Sequence, residues 1–166
     1  MGYLRRTWID SRLMVGPSPI HGLGVFTSAA IQTGEAIMIW GGVLILKSDF
    51  NTIYYREHSV VPMDATTYLG LRVDDVGESL DEYLNHSCDP TSWLIDEVTV
   101  VARRNIAAAE EITIERATWD AEETPPDRSL ALKCSCGSAN CRHQITPGDW
   151  RRADLQVRYA GHFSPY

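Results

Sequence analysis

No apolar run in this chain of 166 residues approaches the roughly 20 needed to cross a bilayer. The longest, Ala36 to Leu46, is broken by Gly41 and Gly42. The paired Arg5 and Arg6 are not followed by an apolar stretch of signal-peptide length, so the expectation is an unprocessed cytoplasmic protein with reduced thiols and no membrane partner. A basic surplus is also missing. Fifteen Lys and Arg stand against 22 Asp and Glu, a net charge of −7, whereas a grip on phosphate backbones needs a concentrated basic face. Direct nucleic-acid binding is therefore not expected, and the acidity favours meeting a basic peptide. There is no internal repeat of solenoid length. Nothing in the composition fixes an oligomeric state.

Hydrophobic residues at 44% and charged residues at 22% suit one ordinary domain with a real core. Helical periodicity is scarce, and short β-branched runs set off by Gly, Pro and Asn/Asp dominate. The expected strands are Arg12–Val15, Gly24–Thr27, Ala36–Trp40 running on to Val43–Leu46, Leu71–Val73, Trp93–Ile95, Val98–Arg103 and Ile112–Glu115. One helix is expected after an Asp149 N-cap, with Trp150, Ala153, Val157 and Ala160 on its buried stripe and Gly161 as its stop. The acidic, proline-bearing stretch Asp120–Arg128 reads as an exposed linker. Asn51 to Leu80 carries mixed signals and, the strand at Leu71–Val73 aside, is the region the pattern places least well. The ending RYAGHFSPY is aromatic, which fits either a tail that docks on its own body or a clipped chain.

Three constellations carry chemistry. Cys134, Cys136 and Cys141 form a C-x-C-x₄-C cluster, which in a reducing compartment reads as metal ligation. A closed zinc site needs four ligands, and the only other cysteine, Cys88, supplies the fourth; His143 is a rival. The second is HGLGVF, His21 to Phe26, whose glycines permit close backbone approach but lack the third glycine of a dinucleotide fingerprint. The third is NHSCDP, Asn85 to Pro90, where an amide and an imidazole stand side by side, able to recognise a purine edge or an amino-acid head group.

Taken in this order, the residues resemble the SET-domain family of S-adenosylmethionine (SAM)-dependent protein lysine methyltransferases. HGLGVF looks like its first cofactor motif, NHSCDP its NHSCxP element, ARRNIAAAEEIT the strand into its catalytic segment, and CSCGSANCR its post-SET zinc motif. The resemblance implies a mostly β, β-clip-like fold of small curved sheets with a pseudoknot. It places a SET domain at 11–118, a post-SET zinc module at 130–146, and a short terminal helix and tail at 147–166. It implies SAM bound by Gly22, Leu23, Gly24, Tyr83, Asn85 and His86, and a structural Zn2+ on Cys88, Cys134, Cys136 and Cys141. The implied partner is a protein or peptide presenting a lysine.

Two departures bear on activity. Aligned on Glu110–Thr113, the family's final tyrosine is replaced here by Arg116, and the tyrosine of a Tyr-x-Gly-Glu element by Trp40. A guanidinium has five donors, no accepting lone pair and a permanent charge, so one facing the reaction centre would repel a sulfonium and an incoming lysine. One account turns Arg116 to solvent or pairs it with Glu115 or Asp120, with Tyr83, Tyr55 or Tyr68 taking over and Trp40 walling the channel. The other makes the chain a catalytically impaired scaffold that binds SAM or a partner, or a SAM enzyme acting on a small anionic substrate.

Overall fold

Strand-forming residues cluster in runs of two to eight, and the chain folds them into small sheets rather than one large one. The protein is described here from a computed structural model, which covers residues 2–75, 79–120 and 132–165. The first sheet has the antiparallel order β1 (Trp8–Ile9), β4 (Ala36–Ile39), β10 (Thr99–Ala102), β9 (Ser92–Leu94). The second has the order β2 (Leu13–Pro17), β3 (Leu23–Thr27), β11 (Glu111–Ile114), β8 (Asn85–His86), in which β8 runs parallel to β11. The third has the order β5 (Val43–Leu46), β7 (Thr67–Arg72), β6 (Tyr55–Pro62), and β12 (Leu132–Lys133) pairs with β13 (Gln144–Ile145) as a two-stranded ribbon.

Ile37 and Met38 of β4, Val100 of β10, Val25 of β3 and Ile112 and Ile114 of β11 are buried in one core with Leu94 and Ile106. Adjacent residues within β4 and within β10 are both buried, so these strands are covered on both faces and read as unbroken apolar runs. Trp40, Val61 and Leu69 carry the core across to the third sheet.

The run Ala36–Leu46 divides between two sheets at its glycines. A Cβ on Gly41 would lie 2.4 Å from the carbonyl oxygen of Arg6, and one on Gly42, at φ 142°, would lie 2.2 Å from that of Gly70. The chain can pass between these backbones only without side chains. The stretch placed least well, Asn51 to Leu80, holds the β6–β7 hairpin and the start of a 3-10 turn at Leu80–Tyr83; the strand expected at Leu71–Val73 is the end of β7, which begins at Thr67 and stops at Arg72.

The terminal helix is shorter than its pattern implied. Residues Asp149–Arg151 form a 3-10 turn, Arg152 is extended at ψ 128°, and the α-helix α1 spans only Ala153–Arg158. The buried positions are Leu155 and Tyr159, while Val157 is 81% exposed. The expected stripe fails because the carboxylate of Asp149 does not cap the helix: it accepts from Thr146 and Arg142 instead. The aromatic ending docks on the body: Tyr159 is fully buried, His162 stacks on Trp93 with centroids 3.5 Å apart, and the Ser164 amide donates to the Thr118 carbonyl at 2.6 Å.

Asp81, on the Leu80–Tyr83 turn, accepts hydrogen bonds from Ser59 and Ser79. Desolvation pushes its carboxyl up to about 6, against the lowering effect of Ser59. A raised carboxyl favours the folded state below its unfolded value and loses that contribution as pH rises through about 6. Asp81→Asn should therefore raise unfolding stability by ~1–2 kcal/mol at pH 8, with the gain vanishing below pH ~4, as read by denaturant titration at both pH values.

Candidate functional site

The thiols of Cys88, Cys134, Cys136 and Cys141 converge so that all four sulfurs lie within 4.8 Å of one another. Cys88 and Cys134 Sγ are 3.8 Å apart, too far for a disulfide. That spacing fits a tetrahedral ion: sulfurs about 2.3 Å from a zinc are separated by about 3.8 Å. The backbone amides of Arg142 and His143 donate to Cys88 and Cys141 Sγ at 3.4 Å each, which favours thiolates. Burial pushes the Cys88 thiol up to about 11, and a cation at the centre of the cluster would favour the thiolate form instead. The rival His143 is exposed, has a left-handed φ of 60°, and is outside the cluster.

Cys88 joins this cluster to β8. Asn85 Nδ2 lies within 3.2 Å of His21 O, 3.0 Å of Leu23 O and 2.8 Å of Glu111 Oε1, so its amide is locked to the HGLG turn. His86 Nδ1 accepts from the Arg116 amide at 3.2 Å, which puts the ring proton on Nε2, 3.3 Å from Cys88 Sγ. Desolvation holds the His86 pKa below its ordinary value despite the opposing charge of Glu115, so the ring is neutral at neutral pH.

Next to it, Glu115 is 1% exposed and receives Arg142 through two guanidinium bonds of 2.7 Å. Burial opposes the Arg142 charge, but Glu115 and Asp149 outweigh it and raise its pKa above the ordinary range. A planar fork meeting a carboxylate this way is the geometry that arginine, not lysine, supplies. The bond ties the catalytic-segment strand to the cysteine module.

Between β8, the HGLG turn and the cysteine ribbon lies a cavity of about 480 Å³, within the range of small-molecule sites. Asn85 and His86 form part of its wall, with Ile20 and His21 at the turn and Lys133, Cys134 and Ser135 on the ribbon side. Of the residues expected to bind cofactor, Gly22, Leu23, Gly24 and Tyr83 are not on that wall. Gly22 has φ 48° and Gly24 packs under Glu111, so both shape the turn from behind. Tyr83 is 36% exposed.

Arg116 lines the cavity, and its Nε donates to Asp120 four residues on. Trp40 is buried in the core, its ring 5.6 Å from that of Trp119, which does line the cavity. Tyr68 and Tyr55 belong to a separate cluster on the third sheet with Phe50. The linker expectation needs correcting at its first residue: Asp120 is 4% exposed, because its carboxylate pairs with Arg116. Residues 121–128 lie outside the described residues.

Sequence reasoning offered the pairing of Arg116 with Asp120 as one of its arrangements but missed Trp119 and the Glu115–Arg142 pair. The one local signal for that pair is an arginine directly after the last cysteine of the cluster.

Glu111 offers a handle on the turn. It accepts from Ser18 at 2.8 Å and from Asn85, and a Cβ on Gly24 would lie 2.2 Å from its Oε1. Gly24→Ala should displace Glu111, free the Asn85 amide and weaken S-adenosylhomocysteine (SAH) binding about tenfold, the effect of one lost polar contact. Calorimetry with SAH, beside a melting curve lowered by only a few degrees, checks this.

A family model described as SET domain matches residues 22–115. "Histone-lysine N-methyltransferase ATX2" of Arabidopsis thaliana is 27% identical over 93% of this chain, and "Histone-lysine N-methyltransferase TRX1" of Oryza sativa subsp. japonica 29% identical over 89%. This chain spans 15% of the length of each. Among solved structures, KRYPTONITE in complex with mCHH DNA, H3(1-15) peptide and SAH has a similar fold, with a TM-score of 0.57 and 21% identity over 82% of this chain and 30% of that one. The matched segment starts at the HGLG turn and ends at Glu115, taking in the NHSC strand between them: the chain belongs to the SET domain family.

Proposed function

We propose that the chain is a SAM-dependent methyltransferase acting on a protein lysine, with one structural zinc on Cys88, Cys134, Cys136 and Cys141. The observation that carries it is the cavity at which the HGLG turn, Asn85–His86 and the cysteine ribbon meet. Membership of the SET family and the printed names of the relatives supply the reaction class. The relative solved with an H3(1-15) peptide and SAH supports a peptide substrate and this cofactor. A reducing, cytoplasmic setting suits four free thiols.

When bound, SAM supplies an activated methyl on a sulfonium. The chain aligns two reactants and keeps water away, which is most of what this displacement requires. Asn85, fixed by the carbonyls of His21 and Leu23, presents a rigid edge to the nucleoside side. Neutral His86 adds no positive charge beside a cationic cofactor. Leu84, Ile114, Leu132 and Ile145 give the cavity apolar walls. The zinc is scaffold: four sulfur ligands leave no position for a reacting water.

The pairing of Arg116 with Asp120 weakens the case for an anionic substrate, since the charge that would attract one is already balanced. The same pairing removes the repulsion that favoured an inactive scaffold.

Calorimetry of the purified chain with SAH, elemental analysis, and mass spectrometry of a histone H3 peptide incubated with SAM and enzyme test the reading together. The expected results are one SAH and one zinc per chain and methyl groups on lysine. Absence of SAH binding refutes the proposal, and binding without turnover on any lysine peptide leaves only the scaffold.

A further inference from the structure

Asp120 closes one side of the cavity with half of its carboxylate uncommitted. Oδ2 accepts from Arg116, while Oδ1 is buried without a hydrogen-bond partner among the described residues. The side chain is only 2% exposed, so bulk solvent contributes little to satisfying it. Trp119, its neighbour in the chain, also lines the cavity, and the ring is held against Trp40 at a tilt of 59°. A buried anionic acceptor without a donor, beside an indole ring, is matched by one chemical class: a cationic N–H donor, which a carboxylate holds by charge-assisted hydrogen bonding and an indole face by cation–π attraction.

We infer that Asp120 Oδ1 receives the amine of the substrate lysine, and that Arg116 is a positioning residue that holds the carboxylate in place. This rests on the lysine-methylation reading above. The pair occupies the place where the family resemblance puts a tyrosine, and it solves the same problem differently. Arg116 alone would repel an amine and a sulfonium; paired, it is neutralised, and the group left facing the ligand is an acceptor.

The step balances. The bound ammonium first gives one proton to solvent, and the neutral nitrogen then uses its freed lone pair to form the N–C bond with the methyl. The C–S bond breaks with its electrons remaining on sulfur, which becomes the thioether of SAH. Positive charge thus moves from sulfur to nitrogen, which ends as the methylated ammonium. A carboxylate beside the nitrogen interacts more strongly with the transition state, where charge is arriving, than with the neutral amine, and that difference accelerates the step.

The charged and titratable groups around Asp120 are Arg116 on its own turn, His86 from β8, His21 from the HGLG turn and Lys133 from β12. The thiol of Cys134 also lies on the wall, and among the described residues no other wall group is a carboxylate. A carboxylate raises the pKa of an amine beside it. Removing Asp120 should therefore move the amine's limb of the rate–pH profile to lower pH while lowering the plateau.

The test compares wild type, Asp120→Asn, and the double variant Arg116→Gln/Asp120→Asn, which leaves no lone charge if the single variant is poorly folded. Rate–pH profiles with a histone H3 peptide form one arm. Calorimetry with SAH and with sinefungin, a SAM analogue bearing an amine in place of the methyl sulfonium, forms a second that needs no turnover. The expected result in both variants is SAH affinity within about threefold of wild type, a preference for sinefungin over SAH reduced about tenfold, a plateau rate at least tenfold lower, and a limb about one pH unit lower. An unchanged sinefungin preference and an unmoved limb in variants that bind SAH normally overturn the inference while leaving the methyltransferase reading intact. Failure of the wild type to bind SAH defeats that reading, and this inference with it.

Discussion

Four buried or half-buried sulfurs held within 4.8 Å of one another form a donor set that a divalent cation such as zinc fits, and the proposed zinc would relieve the repulsion between their thiolates. The position of Cys88 in that cluster organises the rest. It belongs to the NHSC segment, while its three partners come from the far end of the chain, so the cluster closes a loop across the molecule. Tyr159 Oη donates to the Cys88 carbonyl at 3.0 Å and the Arg142 amide to its sulfur, so the terminal helix and the ribbon converge on the same residue. With that tie in place, Cys134, Ser135 and Lys133 become one wall of a cavity whose other wall is the HGLG turn. Without it, half of the cavity has no reason to be there.

Electrostatics within this frame is a matter of matched pairs. Glu115 and Arg142 are both nearly excluded from solvent, and neither is tolerable alone; breaking a buried pair of this kind costs about 3–5 kcal/mol. Arg116 and Asp120 form a second pair four residues apart, one turn further along the same segment. The two pairs differ in what they leave over. Both oxygens of Glu115 are engaged, so that pair is scaffold, whereas Asp120 keeps one oxygen uncommitted at the cavity wall. On the inference drawn above, this is how a chain with an arginine in place of the family's tyrosine would still present an acceptor there.

What could be read from the sequence was what depends on local pattern. The strands from Leu13 to Leu46 and from Ser92 to Ile114 follow period and β-branching, and their observed ends differ from expectation by one or two residues. The convergence of the four cysteines was legible because metal geometry restricts spacing, and Cys88 followed by counting. The Arg116–Asp120 pair was one of the arrangements the sequence offered, but the burial of Asp120 was not legible, since an acid at the head of an acidic, proline-bearing stretch looks solvated. The β6–β7 hairpin was obscured because Arg56, Glu57 and His58 interrupt the apolar alternation of β6. Asp149 misled for a similar reason: a good N-cap residue by type, it is engaged by Arg142, an ion pair that spacing does not announce.

The central claim, that the metal-bound tie through Cys88 roofs the cofactor cavity, is tested most directly by titrating out the metal and following SAH affinity on the same samples. Stepwise chelation with zinc stoichiometry and calorimetry measured in parallel should show SAH binding lost in proportion to zinc, and regained on adding zinc back. Metal-free protein that stays folded and binds SAH with undiminished affinity would contradict it.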